Sequence, residues 1–68
     1  MEKYYHIYFT LENGESLSMQ GEFDDDTVIE DVKEQLKSLY GDTVEEFRIL
    51  EDTGTNGLDE IYDSHNDR

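Results

Sequence analysis

Residues 4–23 read Tyr-Tyr-His-Ile-Tyr-Phe-Thr-Leu-Glu-Asn-Gly-Glu-Ser-Leu-Ser-Met-Gln-Gly-Glu-Phe, and this stretch decides the fold. Positions 4–11 are aromatic and β-branched, with Tyr5, Ile7, Phe9 and Leu11 all on odd positions, so they predict a strand with one apolar face. Positions 16–23 repeat the pattern with Leu17, Met19 and Phe23. Directly opposed residues of an antiparallel pair point to the same face. A two-residue Asn13-Gly14 loop would set Phe9 beside Ser18 and Leu11 beside Ser16, which mixes core with solvent. A three-residue loop, Glu12-Asn13-Gly14, with Gly14 in the left-handed conformation of a bulged turn, pairs Phe9 with Leu17 and Ile7 with Met19. The bulged turn is therefore the expected connection.

Downstream of the hairpin, Asp24-Asp25-Asp26 precedes Thr27-Val28-Ile29-Glu30, a Ser/Thr-x-x-Glu pattern in which Thr27 and Glu30 are expected to form a capping box. Val28, Ile29, Val32, Leu36, Leu39 and Tyr40 then recur at helical spacing, and Gly41 suits a left-handed stop, so the spacing predicts a helix over 28–40. Residues 44–50 place Phe47 and Ile49 on one side and Glu46 and Arg48 on the other, as in a third strand. A helix between the second and third strands carries the chain back over the sheet and lets the third strand pair with the first. The expected fold is α+β: one small ββαβ domain with a three-stranded antiparallel sheet in order 2-1-3 and one helix on one face.

The chain has 68 residues, no cysteine, and nineteen acids against five bases, a formal charge of −14. Twenty of its twenty-three apolar residues lie in positions 1–50; beyond them stand only Leu58, Ile61 and Tyr62. The reading is a folded body over 1–50 and an acidic, mostly disordered tail over 51–68. A core this small, with no disulfide or thiolate metal site, points to oligomerisation as further support. Tyr4, His6 and Tyr8 fall on the even, outward face of the first strand and are the candidate face for a homodimer or a partner. No basic start followed by an apolar run and no membrane-length stretch is present, so a cytoplasmic location is expected. The acidity argues against binding nucleic acid or a membrane surface and for a basic protein partner.

Catalytic and metal chemistry find little purchase. Paired carboxylates need a cleft that separates their pKa values, and a body of fifty residues offers little room for one. His6 and His65 have no cysteine partner, and no phosphate loop or nucleophile motif appears. Asp52-Thr53-Gly54-Thr55-Asn56-Gly57 partly matches a calcium loop, but Gly54 stands at the third position, Asp59 at the eighth and Asp63 at the twelfth, so a solvated acidic segment is the better reading. Neither an enzyme nor a cofactor is expected. The acid run is the most informative feature: residues 22–34 hold seven acids against Lys33 alone. Asp26, Glu30 and Glu34 are expected on one helical ridge with steps of about 6 Å along the axis, and a ridge of carboxylates on a stiff rod can resemble one strand of a phosphate backbone. A solvated helix face with capping aspartates is the plainer reading of the same residues.

Leu39-Tyr40-Gly41-Asp42-Thr43-Val44-Glu45-Glu46 resembles the end of the helix and the start of the last strand in the small acidic uracil-DNA glycosylase inhibitors of certain Bacillus phages, whose pattern there reads roughly Leu-Tyr-Gly-Asn-Thr-Ala-Asp-Glu. The resemblance covers about eight positions in residues and perhaps fifty in element order. It implies a hairpin, a helix and a third strand, a homodimer, a bacterial host cytoplasm, and DNA mimicry that fills the glycosylase's DNA-binding groove. Where that family carries an aromatic residue and an acid that help engage the enzyme, this chain has Leu36 and Lys37. On this reading Asp26, Glu30, Glu34 and Asp42 stand for phosphates, and Leu36 and Tyr40 supply apolar grip. The alternative is an acidic adaptor or structural module that binds a protein through its Tyr4/Tyr8 face.

Overall fold

A computed structural model describes residues 2–54 and 57–64. Glu2–Leu11 forms β1 and Ser16–Asp24 forms β2. They pair antiparallel with Phe9 opposite Leu17 and Ile7 opposite Met19, the register demanded by keeping apolar side chains on one face. The turn is the bulged one: Gly14 takes φ 91°, the Gly14 N–H donates to the Leu11 carbonyl at 2.9 Å, and the Leu11 N–H donates to the Glu15 carbonyl at 2.8 Å. Only glycine adopts that backbone without a steric cost.

Val28–Tyr40 forms α1, ended by Gly41 at φ 65°, whose N–H bonds back to the Lys37 carbonyl. The expected capping box is replaced. The Thr27 hydroxyl donates to the Asp31 carboxylate at 2.8 Å instead of capping a backbone amide. The turn before the helix is closed by Asp24, whose carboxylate accepts the Asp26 N–H at 2.9 Å. A single 3₁₀ turn over Gly41–Thr43 then leads into β3, Val44–Asp52, antiparallel to β1.

The sheet has four strands in the order β2-β1-β3-β4, not three. The added strand, β4, is Leu58–Asp63 from the segment expected to be a disordered tail. Tyr62 lies opposite Ile49 and its ring packs 5.2 Å from that of Phe47. The strand is closed by Ser64, whose hydroxyl accepts the Phe47 N–H at 2.8 Å and whose own N–H donates to the Phe47 carbonyl at 3.0 Å. The expectation of disorder at residues 65–68 lies outside the described residues.

α1 covers one face of the sheet. Val28, Val32 and Leu36 meet Tyr5, Ile7, Phe9 and Ile49, and these seven side chains are the buried core. The opposite face, formed by the even positions of β1 and their neighbours, has no helix over it. The fold therefore leaves two surfaces uncovered: the outer side of α1 and the bare side of the sheet.

Candidate functional site

The acids at the start of α1 lie in the open. Asp26, Glu30 and Glu34 are all exposed, and the ion pairs among the described residues, which use Lys3, His6 and Arg48, leave these three out. Lys33, the cation nearest in sequence, points away from them, its ammonium 5.4 Å over the Tyr62 ring on β4. These acids therefore keep their negative charge.

Asp42 is exposed too, but the fold sets it elsewhere. It sits in the 3₁₀ turn beside a hollow of about 250 Å³ shared with Lys33 and Lys37, on the β3 side of the helix. The expected three-acid helical ridge is corrected: Glu30 and Glu34 lie one turn apart on α1, whereas Asp26 sits in the turn before the N-cap residue Thr27, and Asp42 stands at the other end of the helix, by a hollow that Glu45 lines along with the two lysines.

The two apolar candidates also separate. Leu36 is 2% exposed and belongs to the core, so the expectation that it grips a partner is corrected. It occupies the inward position of a helix whose Val28 and Val32 face the same way, and helical spacing alone puts all three on one stripe. Tyr40 is half-buried, its ring tilted against Phe9 at 5.1 Å, which leaves part of it available. Leu39, which the pattern reading counted with the apolar stripe, is 61% exposed.

The bare sheet face brings Tyr4, His6 and Tyr8 together as expected. Tyr4 and Tyr8 are 38% and 39% exposed, and Leu58 on the far strand is 43% exposed. The Tyr4 and His6 rings meet edge to face at 5.4 Å. His6 Nε2 lies 3.2 Å from the Asp52 carboxylate. That carboxylate is held below its usual range, first by the Gly54 N–H it accepts and second by His6. The Gly54 bond is 2.9 Å long. Asp52 thus closes the β3–β4 turn and orients His6, and the Asn56 position of the calcium-loop reading lies outside the described residues. The Asp24, Asp25 and Asp26 carboxylates approach one another within 4.8 Å. Asp24 is engaged in the turn, and the Lys3 ammonium comes within 3.9 Å of Asp25.

Further acids were not singled out by sequence spacing. Glu2 and Glu22 stand on the bare face of the sheet, Glu22 opposite Tyr4, and Asp31 stands on α1. They come from three elements, so no single helical or strand period links them. Among the described residues, no helix is long and apolar enough to cross a membrane. No family model, curated protein or solved structure matches this chain.

Proposed function

We propose that this chain is a DNA-mimic inhibitor of a DNA-binding enzyme, with uracil-DNA glycosylase as the target, acting in the cytoplasm of a bacterial host. The observation that carries the reading is the exposed pair Glu30 and Glu34, one helical turn or about 6 Å apart on α1, with exposed Asp26 in the turn just before the helix; no cation pairs with these three among the described residues. The Leu39–Glu46 resemblance supplies the target. Charge steers the encounter, and the free part of Tyr40 adds apolar contact, while Leu36 acts only through the core. Asp42 contributes less because it stands at the opposite end of the helix from the other acids. On this reading the chain has no catalytic step of its own and needs no cofactor, and its partner is a basic protein, not nucleic acid or a membrane.

The test adds excess chain to a uracil-excision assay, with an unrelated DNA-binding enzyme as control. Selective inhibition of the glycosylase is expected. Salt should slow association more than it speeds release, because the long-range part of the attraction is the screened part. Glu30→Lys combined with Glu34→Lys should slow capture. Absence of inhibition would refute the reading, and equal inhibition of both enzymes would reduce it to polyanion behaviour.

A second reading is favoured by the bare sheet face. Tyr4, Tyr8 and Leu58 on one uncovered surface suit either a second copy of the chain or a protein that the chain adapts. A homodimer through this face is compatible with inhibition, since Glu30 and Glu34 lie across the sheet on the helix side. Sedimentation at micromolar concentration should give about twice the 8.0 kDa chain mass, and Tyr8→Glu should return it to a monomer. An adaptor without inhibitory function would bind its partner through Tyr8 and leave glycosylase untouched.

A further inference from the structure

The two edges of the sheet are built differently. β4 is six residues long, carries Asp59, Glu60 and Asp63, and is bulged where the register shifts between Ile49 and Leu50. Shortness, charge and a bulge are the devices that keep an edge strand from pairing. β2 has none of them over most of its length: it runs nine residues in unbroken register with β1, and residues 16–21 hold no charge and no proline. The Leu11 N–H bonds to the Glu15 carbonyl, so the odd-numbered backbone groups of the hairpin face each other, and antiparallel alternation turns the N–H and C=O of Ser16, Ser18, Gln20 and Glu22 outward. Among the described residues, none of the backbone hydrogen bonds outside the ladders engages these four. The apolar row on the helix side of β2 is also incompletely covered. Leu17, Met19 and Phe23 are half-buried, whereas Tyr5, Ile7 and Phe9 on β1 are at most 3% exposed.

What fits this edge follows from its own sequence. Outward-facing groups of one strand must meet outward-facing groups of the other, so two copies of β2 pair even with even and odd with odd. Antiparallel pairing about a two-fold axis at Gln20 overlaps all nine residues of the strand. Ser16 then meets Asp24, Ser18 meets Glu22, Leu17 meets Phe23, and Met19 meets Gly21, whose missing side chain leaves room for it. No acid opposes an acid, although each copy carries a charge of −14, and the half-buried apolar rows join on the helix side. An axis at Glu22 would set two glutamates against each other, and an axis at Ser18 would leave Phe23 without an apolar neighbour. We propose that a second copy of the chain pairs with β2 along this edge, joining the two four-stranded sheets into one continuous sheet with Gln20 on the two-fold axis. The charged, bulged β4 strands end that sheet, so the assembly closes at two copies. The inference does not rest on the inhibitor reading, since it uses neither Glu30 nor Glu34, and it assigns the second copy to a different surface from the Tyr4/Tyr8 face.

Sedimentation equilibrium of the full chain over a concentration series reads the dimer constant, and amide exchange reads the edge. Exchange at Ser18, Gln20 and Glu22 should slow as concentration rises, while the odd-numbered amides of β2, already bonded to β1, stay protected throughout. Gln20→Pro removes an outward N–H on the axis and leaves the β1 ladder intact; it should weaken the dimer by about tenfold or more. Charge reads the register. Ser18→Lys stands opposite Glu22 twice per dimer and should tighten it about fivefold at low salt, and Ser18→Glu should weaken it about as much. Ser38→Lys makes the same change of net charge as Ser18→Lys on the outer side of the helix and should stay within about twofold of the parent. Ser18, Gln20 and Ser38 are exposed, so circular dichroism should show an unchanged fold, and the Ser18 pair carries the test if the proline variant does not fold. Tyr8→Glu should leave the edge dimer in place. A monomer at millimolar concentration would overturn the proposal and leave the edge to a strand of another protein. So would equal effects of Ser18→Lys and Ser18→Glu, or a dimer that Tyr8→Glu dissociates and whose even-numbered β2 amides exchange freely.

Discussion

Leu36→Ala removes three carbons from the centre of the helix–sheet contact, and its consequence follows from how little core there is. Among the described residues the buried apolar set is seven side chains, and Leu36 at 2% exposure is one of three that the helix contributes. Stability of about 0.05–0.15 kcal/mol per residue gives a chain of this length a total of about 3–10 kcal/mol. A buried Leu→Ala change costs about 2–5 kcal/mol, the range reflecting how far the surroundings collapse into the space. Leu36 shares its cluster with Ile7, Ile49 and Val32, all fully buried, so collapse is limited and about 3 kcal/mol is expected. That is a third or more of the total. Urea titration followed by circular dichroism should show the midpoint falling with the slope unchanged, and the thermal midpoint should drop roughly 10–20 °C. Leu39→Ala, at 61% exposure, is the matched control and should stay within about 0.5 kcal/mol of the parent. A loss under about 1 kcal/mol for Leu36→Ala, together with weakened glycosylase inhibition by a fully folded variant, would refute the core assignment and restore Leu36 as a partner contact.

Two further outcomes follow from the fourth strand and its turn. Ending the chain after Asp52 strips Tyr62 from Phe47 and removes both hydrogen bonds between Phe47 and Ser64; the truncated chain should lose about 2–4 kcal/mol and show faster amide exchange along β3, whereas unchanged exchange would mean that β4 adds nothing to the fold. Asp52 has its folded pKa depressed from the ordinary 3.8, first by the Gly54 N–H and then by His6, so its stabilising effect is complete above the unfolded value and disappears as pH falls through the folded one. Asp52→Asn should accordingly be less stable than the parent near neutrality and converge with it in strong acid; a constant difference at all pH values would show that the ionised carboxylate is not what matters.

The hairpin and the helix are legible in the residues because each keeps a single period from end to end, and the third strand because it keeps one from Glu46 onward, past the register shift at Thr10/Leu11. Parity selects the bulged turn over the two-residue loop, which would place Phe9 opposite Ser18 and Ile7 opposite Gln20. The fourth strand fails that kind of reading for a specific reason. Leu58 and Tyr62 are both even positions, yet Leu58 lies opposite Asp52 and Tyr62 opposite Ile49, on different faces, because the register shifts by one residue between Ile49 and Leu50 and Ile61 is the extra residue. A bulge breaks strict alternation, and three apolar residues among acids then look aperiodic. The helix start shows a different limit: Thr27 and Glu30 have the capping spacing, but Asp31 competes for the Thr27 hydroxyl and takes it. Leu36 and Leu39 had equal standing as apolar helix positions, and three residues of helical rotation put one in the core and the other in solvent.

The distribution of charge bears on why such a small fold carries so much of it. Self-repulsion opposes a compact state, and a chain of this size has little buried surface with which to oppose it. Solubility of a small domain is served by a net charge of about 2–8 in magnitude, well short of the −14 carried here. The fold does not neutralise the excess where it is densest. Lys3, His6 and Arg48 are paired on the sheet, Lys33 turns to Tyr62, and the exposed acids of the helix keep their charge. Repulsion among those acids is relieved if a cationic surface arrives, so association lowers a cost that the free chain bears continuously. On the proposed reading, a surface arranged in this way is more stable occupied than empty, the property that separates a binding role from mere solubility.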